Sequence, residues 1–406
     1  MRTFASLSAT VVAIGIAVGL VPAAASAADR IDVVAHRGAS GDAPENTLAA
    51  IHEAARQEAD WAEIDVVLSA DEVPVLLHDT NLARTTDVEA KFPDRAPWLV
   101  EDFTVAELKQ LDAGSWFDQR FAGEPIPTFR EALIALDEHD LGLWLEIKSP
   151  ERYPGVEAAM AEVLRTTEGG WLTAPDRAEF FKATSFNFDS LRAFAEEIDH
   201  AVPVGGIAST VADDATLREL ATWMEYYIVD HLRLQEGDIA RLDAAGLRSA
   251  AVWTVNDPLV VADLAAVGAD AMIGNYPESA RRILMGRDPF PSRPSVVVED
   301  MVNDVPGDDV QPENGEHVVL RNVWSKPVDV GGWYMRDAAY NLLPIAQGYV
   351  IPPGGTLRVY VGPGTNTADR YYIGRTASIL NNGGDSIALH RPDHSIADIT
   401  SNDLTP

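Results

Sequence analysis

The sequence predicts an α/β chain: a (β/α)8 TIM barrel followed by a small all-β, immunoglobulin-like sandwich. Three observations carry this. Short apolar runs alternate with helical patterns from residue 31 to residue 285, which implies parallel strands joined by crossover helices. There are eight such runs, the number that closes a barrel. After a proline-rich stretch the pattern changes to short β runs with Gly, Pro and Asn turns and no helix of any length.

The strand runs are Ile31–His36, Trp61–Leu68, Leu141–Lys148, Phe180–Phe186, Val202–Ile207, Tyr226–Asp230, Arg248–Val255 and Ala271–Asn275. Helical patterns between them include Leu48–Ala59, Tyr153–Arg165, Phe188–Glu197, Asp238–Ala245 and Pro258–Val267. One run breaks the alternation. Val73–His78 follows the second strand after only Ser69–Glu72, too short for a parallel crossover. It is expected to fold back as a hairpin above the barrel mouth and to bring His78 over the end of the second strand.

Residues 1–28 read as a secretory signal. Arg2 is the only charge before Asp29, an apolar stretch follows, and Ala25-Ser26-Ala27 gives a small-residue cleavage pattern. The barrel is assigned to residues 29–285, a Pro-rich and acidic linker to 286–315, and the sandwich to 316–406. The linker predicts that residues 1–290 fold and work without the second domain. The chain has no cysteine, so an exported protein of this kind is held by its core and a metal rather than by disulfides. The formal charge is −32, from 63 acidic and 31 basic residues. Such a surface repels phosphate backbones, which argues against a nucleic-acid partner, and an anionic substrate needs a local positive site.

Chemistry in such a barrel sits at the carboxyl ends of the strands. The first strand ends in His36-Arg37. Glu63 and Asp65 are two apart on the second strand and share a face, with Ile64 turned to the helices. Glu146 and Lys148 share a face on the next barrel strand, with Ile147 packed outward. Three carboxylates inside one barrel mouth need a cation among them, and carboxylate oxygens favour hard Ca²⁺ or Mg²⁺. The remaining histidines, His52, His139, His200, His231, His317, His390 and His394, are placed outside the site.

Six separated blocks, "VVAHRGASGDAPENTLAAI", "AEIDVVLSADEVPVLLHDTNLARTTD", "IPTFREAL", "LEIKSP", "ATSFNFDSLRAF" and "AVWTVND", resemble the glycerophosphodiester phosphodiesterase family in order and spacing. The resemblance implies a TIM barrel that hydrolyses glycerophosphodiesters to an alcohol and glycerol 3-phosphate. It implies His36 and His78 as acid/base histidines and Glu63, Asp65 and Glu146 as ligands of a divalent metal, with Glu45 close by. It implies Arg37 and Lys148 as phosphate contacts and Trp253 as an aromatic of the substrate pocket. The order of the two histidines, Ca²⁺ against Mg²⁺, and attack by water or by a glycerol hydroxyl stay open. One departure stands out: the family usually has Thr-Asp before Tyr-Pro, where this chain has Gly274-Asn275-Tyr276-Pro277, so the pocket wall at the eighth barrel strand is expected to differ.

The blocks "EHVVLRNVWSKPVDVGGWYMRD", "IPPGGTLRVYVG" and "LNNGGDSIALHRPD" resemble a lamin-tail domain, with Trp324 and Trp333 expected in its core. The expected function is a secreted, metal-dependent phosphodiesterase acting on small glycerophosphodiesters. The alternatives are a hydrolase of glycerophosphate polymers such as teichoic acids, and a surface binding protein with a relic barrel. A cell-surface contact through the second domain belongs to the same expectation.

Overall fold

The computed structural model describes residues 31–174 and 180–402. The expected signal at 1–28 lies outside the described residues. Among these residues no helix is long and apolar enough to cross a membrane.

The first nine strands are β1 (Asp32–Ala35), β2 (Trp61–Leu68), β3 (Pro74–Leu76), β4 (Gly142–Ile147), β5 (Phe181–Ser185), β6 (Val204–Ala208), β7 (Tyr226–Asp230), β8 (Arg248–Trp253) and β9 (Ala271–Gly274). Eight of them run parallel in the order β1-β9-β8-β7-β6-β5-β4-β2, and β1 pairs with β2 to close the ring. β3 lies antiparallel on β2, with Val66 opposite Leu76. It is therefore the expected hairpin, not a ninth barrel strand. A helix follows each parallel strand: Leu48–Arg56, Phe129–Glu138, Val156–Thr166, Phe188–Glu197, Asp214–Leu220, Asp238–Ala245, Pro258–Ala266 and Pro277–Leu284.

The strands form because their two faces are both buried. Ile64, Val66, Leu145 and Ile147 join the layer between sheet and helices, while Val34, Trp144, Ile207, Ile228 and Ile273 fill the barrel interior. At the amino-terminal end Lys182 is enclosed by Trp61, Trp144 and Tyr226, with its Nζ 4.0, 4.6 and 4.9 Å from the ring centres. Asp32 pairs it at 3.0 Å. This buried cation is balanced by a carboxylate and three π faces, which together fill the lower barrel.

The second domain has strands β10 (Val296–Val302), β11 (His317–Asn322), β12 (Val328–Asp329), β13 (Tyr334–Asp337), β14 (Leu342–Pro344), β15 (Val350–Ile351), β16 (Thr356–Tyr360), β17 (Arg370–Tyr372), β18 (Ser386–His390) and β19 (Ile396–Ser401). They form sheets ordered β10-β11-β16-β17 and β14-β13-β18-β19, with a short β12-β15 pair, around Val318, Leu320, Trp333, Met335 and Leu389. Two expectations are corrected here. β10 lies inside the stretch read as linker. Its acidic residues point outward from a strand whose Val296, Val298 and Met301 are buried, and that alternation is masked by the surrounding charge. Trp333 is in the core as expected, but Trp324 is 52% exposed and stacks beside Lys326.

The two domains are not joined by a free tether. Tyr276 and Phe290 pack on Ala388 and Ile399. Backbone N–H of Ser401 donates to Asp257 Oδ2 at 2.8 Å, and Asn256 Nδ2 donates to Ser386 Oγ at 3.1 Å. Arg336 is 3% exposed, lies 4.0 Å over the Phe117 ring and donates to the Phe117 carbonyl. The expectation of an independent barrel therefore meets an interface with buried polar partners on both sides, whose loss leaves unpaired groups.

Candidate active site

The sharp end of β1 sets the first half of the site. Arg37 adopts φ 55° and Gly38 φ 77°, both left-handed. A side chain on Gly38 would meet the Ala50 backbone at 2.6 Å, so only glycine fits there. The turn brings the Arg37 N–H to Glu63 Oε2 at 2.7 Å and the Gly38 N–H to the Glu63 carbonyl at 3.0 Å. Asn46 then clamps β2: its Nδ2 donates to Asp65 Oδ2 at 2.8 Å, and its Oδ1 accepts from the Asp65 N–H at 3.0 Å. Thr47 next to it caps the first barrel helix by accepting from the Ala50 N–H. The motif Glu45-Asn46-Thr47 thus starts a helix and fixes a carboxylate at once.

Glu63, Asp65 and Glu146 offer oxygens that all lie within 4.8 Å of one another, and all three residues are buried. Burial and the two neighbouring carboxylates push Glu63 well above the usual carboxylate range. Burial and Asp65 raise Glu146 despite Lys148. Burial alone would also raise Asp65, but Lys148, His78 and Arg37 overcome it and hold Asp65 far below that range. Lys148 Nζ sits 2.7 Å from Glu146 and 3.4 Å from Asp65; burial would lower it, but these carboxylates raise it to about 12. Arg37 reaches Asp65 at 3.3 Å and Glu45 at 3.0 Å. Among the described residues, the buried Oε1 of Glu63 has no hydrogen-bond partner. Two bases do not satisfy this set. An all-oxygen cluster with an orphaned acceptor fits a hard divalent cation.

The two predicted histidines line one cavity of about 220 Å³ with Glu63, Glu146 and Lys148, above a floor of Trp144, Ile207, Ile228 and Ile273. Arg37 and Trp253 border it too, so every predicted site residue but Asp65 lines the cavity, and the Asp65 carboxylate lies within 4.8 Å of those of Glu63 and Glu146. Phe186 closes one side, edge-on to Trp253 at 5.6 Å. An adjoining groove of about 570 Å³ shares Glu146, Lys148 and Phe186 and runs out along Glu151 and Asp189.

Each histidine has a partner that the sequence reading missed. His36 Nδ1 lies 2.7 Å from Asn275 Oδ1, so the ring carries its proton on Nδ1 and leaves Nε2 as an acceptor. Burial and then Arg37 lower the His36 pKa to about 3, against the Asn275 bond and Asp65, so the ring is neutral. His78 Nδ1 lies 2.7 Å from Asp79 Oδ1, and Arg84 holds Asp79 at 2.6 Å and Glu45 at 2.7 and 2.8 Å. Asn275, part of the departure from the family pattern, supplies the group that sets the His36 tautomer. Its adjacency to the last strand was visible; its pairing with β1 required the closed barrel. Asp79 and Arg84 stood in the quoted motif but have no periodicity that marks them.

A (β/α)8 barrel with acid/base and cationic side chains gathered at its strand ends is that of an enzyme acting on an anionic substrate. Comparison with known proteins makes this specific. Residues 36–279 match the model of the glycerophosphoryl diester phosphodiesterase family, and residues 289–403 match the lamin tail domain. The chain is 30% identical over 270 residues to a glycerophosphodiester phosphodiesterase of Bacillus subtilis, covering 64% of this chain and 88% of that protein. It is similar to a solved phosphodiesterase of Oleispira antarctica in complex with the product sn-glycerol-3-phosphate, with 33% identity and a TM-score of 0.55, over 63% of this chain and 96% of that one. The chain belongs to the glycerophosphoryl diester phosphodiesterase family.

Asn275→Asp places a carboxylate against Nδ1 and favours the imidazolium. The His36 pKa is expected to rise, read from the ring C–H shifts in an NMR titration. An unmoved titration would contradict the role assigned to Asn275.

Proposed function

We propose that the protein is an exported, metal-dependent hydrolase of small glycerophosphodiesters, working by acid/base catalysis between His36 and His78. The observation that carries this is the triad Glu63, Asp65 and Glu146, within 4.8 Å, beside a cavity lined by both histidines. The three carboxylates would hold Ca²⁺ or Mg²⁺, which when bound supplies positive charge to the phosphoryl oxygens. Arg37 and Lys148 hold and neutralise the same oxygens as charge builds on them. His36, neutral with Nε2 unoccupied, takes the proton from the attacking hydroxyl, whether that belongs to water or to the glycerol. His78, with Asp79 as counter-charge, gives a proton to the departing alkoxide. Proton uptake and release balance, and the products after addition of water are the alcohol and glycerol 3-phosphate.

The groove suits the alcohol. Glu151 and Asp189 are acidic, and Phe186 is 48% exposed beside the cavity. An aromatic face with nearby carboxylates favours a cationic alcohol of the choline or ethanolamine type. A polyanionic substrate such as a teichoic acid meets a chain of charge −32 and is disfavoured. The complete set of site residues speaks against a relic barrel. Export rests on the reading of residues 1–28.

Metal-loaded protein is expected to release glycerol 3-phosphate from glycerophosphocholine, measured by a coupled dehydrogenase assay. Chelator should abolish the release, and Ca²⁺ or Mg²⁺ should restore it. Full activity after chelation, or none on any glycerophosphodiester, would refute the reading.

His36→Ala and His78→Ala should each lose at least about a hundredfold in turnover at unchanged circular dichroism, the usual scale for such groups. Near-normal turnover in either would remove that residue from the chemistry.

A further inference from the structure

Among the contacts of the second domain with the active-site end of the barrel, the turn between β13 and β14 is the one that leads to both histidines. Tyr340 sits in that turn with φ 66°, a left-handed conformation that a bulky residue rarely takes. It is 7% exposed, and its hydroxyl donates to Ser40 Oγ at 2.7 Å. Ser40 is fully buried and donates in turn to the backbone carbonyl of His36 at 2.7 Å. The Tyr340 ring also packs edge-on against Trp116, 5.9 Å between centres. The Arg84 guanidinium lies over the Trp116 ring, 5.9 Å from its centre. Arg84 binds Asp79, and Asp79 binds His78.

A single side chain of the second domain therefore ends two chains of contact, one to each histidine. The turn itself is held by Asp337, which accepts from the Tyr340 and Asn341 N–H groups, and it delivers the Tyr340 hydroxyl to Ser40 Oγ, which no other donor reaches among the described hydrogen bonds.

We propose that Tyr340 is a positioning residue for the reaction. Its hydroxyl fixes the His36 segment through Ser40, and its ring backs the Trp116–Arg84–Asp79 chain that orients His78. The sandwich then acts as part of the catalytic scaffold and not only as an appended module. This rests on the acid/base reading of His36 and His78.

The test uses the full-length, metal-loaded protein with glycerophosphocholine and separates kcat from KM. Tyr340→Phe keeps the ring and removes one hydroxyl, so the packing is retained. It should lower kcat about tenfold, the scale at which groups behind a directly acting residue are felt, with KM within about twofold. Ser40→Ala should cost a similar factor, and the double variant no more than either alone, because both break one chain. Tyr349→Phe, whose hydroxyl bonds Arg370 inside the sandwich, should leave kcat unchanged. The proposal is overturned if Tyr340→Phe keeps kcat within about twofold of wild type while His36→Ala is inactive, or if the losses in the double variant simply multiply. If His36→Ala keeps full turnover, the acid/base reading fails first and the proposal falls with it.

Discussion

Everything at the mouth of this barrel is arranged around three buried carboxylates. Glu63, Asp65 and Glu146 share a space less than 5 Å across, where the mutual repulsion of like charges is weakly screened. Arg37 and Lys148 offset part of it, and the raised Glu63 and Glu146 show that the offset is incomplete. A carboxyl raised on folding favours the fold at low pH, and that contribution is lost as pH rises through its folded value. A divalent cation held by the three carboxylates would remove this conflict and would supply positive charge for the phosphate of a substrate. The strained Arg37-Gly38 turn and the Asn46 clamp follow from the same need, since each directs an N–H or an amide at one of these carboxylates.

The architecture was legible because its signals are periodic. Eight apolar runs with short crossovers leave few alternatives to a closed barrel, and the i, i+2 spacing of Glu63/Asp65 and of Glu146/Lys148 fixed which way each side chain points. Loss of pattern hid the rest. β10 was read as linker because a strand with acidic residues on its outer face carries the composition of a tether. Asn275 was noticed as an odd residue, but its tie to His36 was not visible, because that contact joins the last barrel strand to the first across 239 positions. Tyr340 and Ser40 are farther still, 300 positions apart, and nothing local in either segment announces the bond.

That long-range bond changes how the second domain is regarded. A proline-rich junction normally indicates modules that move separately. Here the junction ends in a mixed interface in which Arg336, Asp257 and Tyr340 are buried with their partners in the other domain. Buried polar pairs of this kind specify one docking geometry more than they add stability. On a strongly acidic chain with a carboxylate-rich mouth, Arg37 and Lys148 are the side-chain cations that line the cavity.

The central claim is that the carboxylate triad is a metal site. Crystals soaked in Mn²⁺, a spectroscopic stand-in for the harder ions, address it directly. The account predicts one anomalous peak bounded by Glu63, Asp65 and Glu146, absent in Glu63→Gln crystals treated alike. A peak located elsewhere, or no peak while Glu63 and Glu146 share a proton at neutral pH, would contradict it.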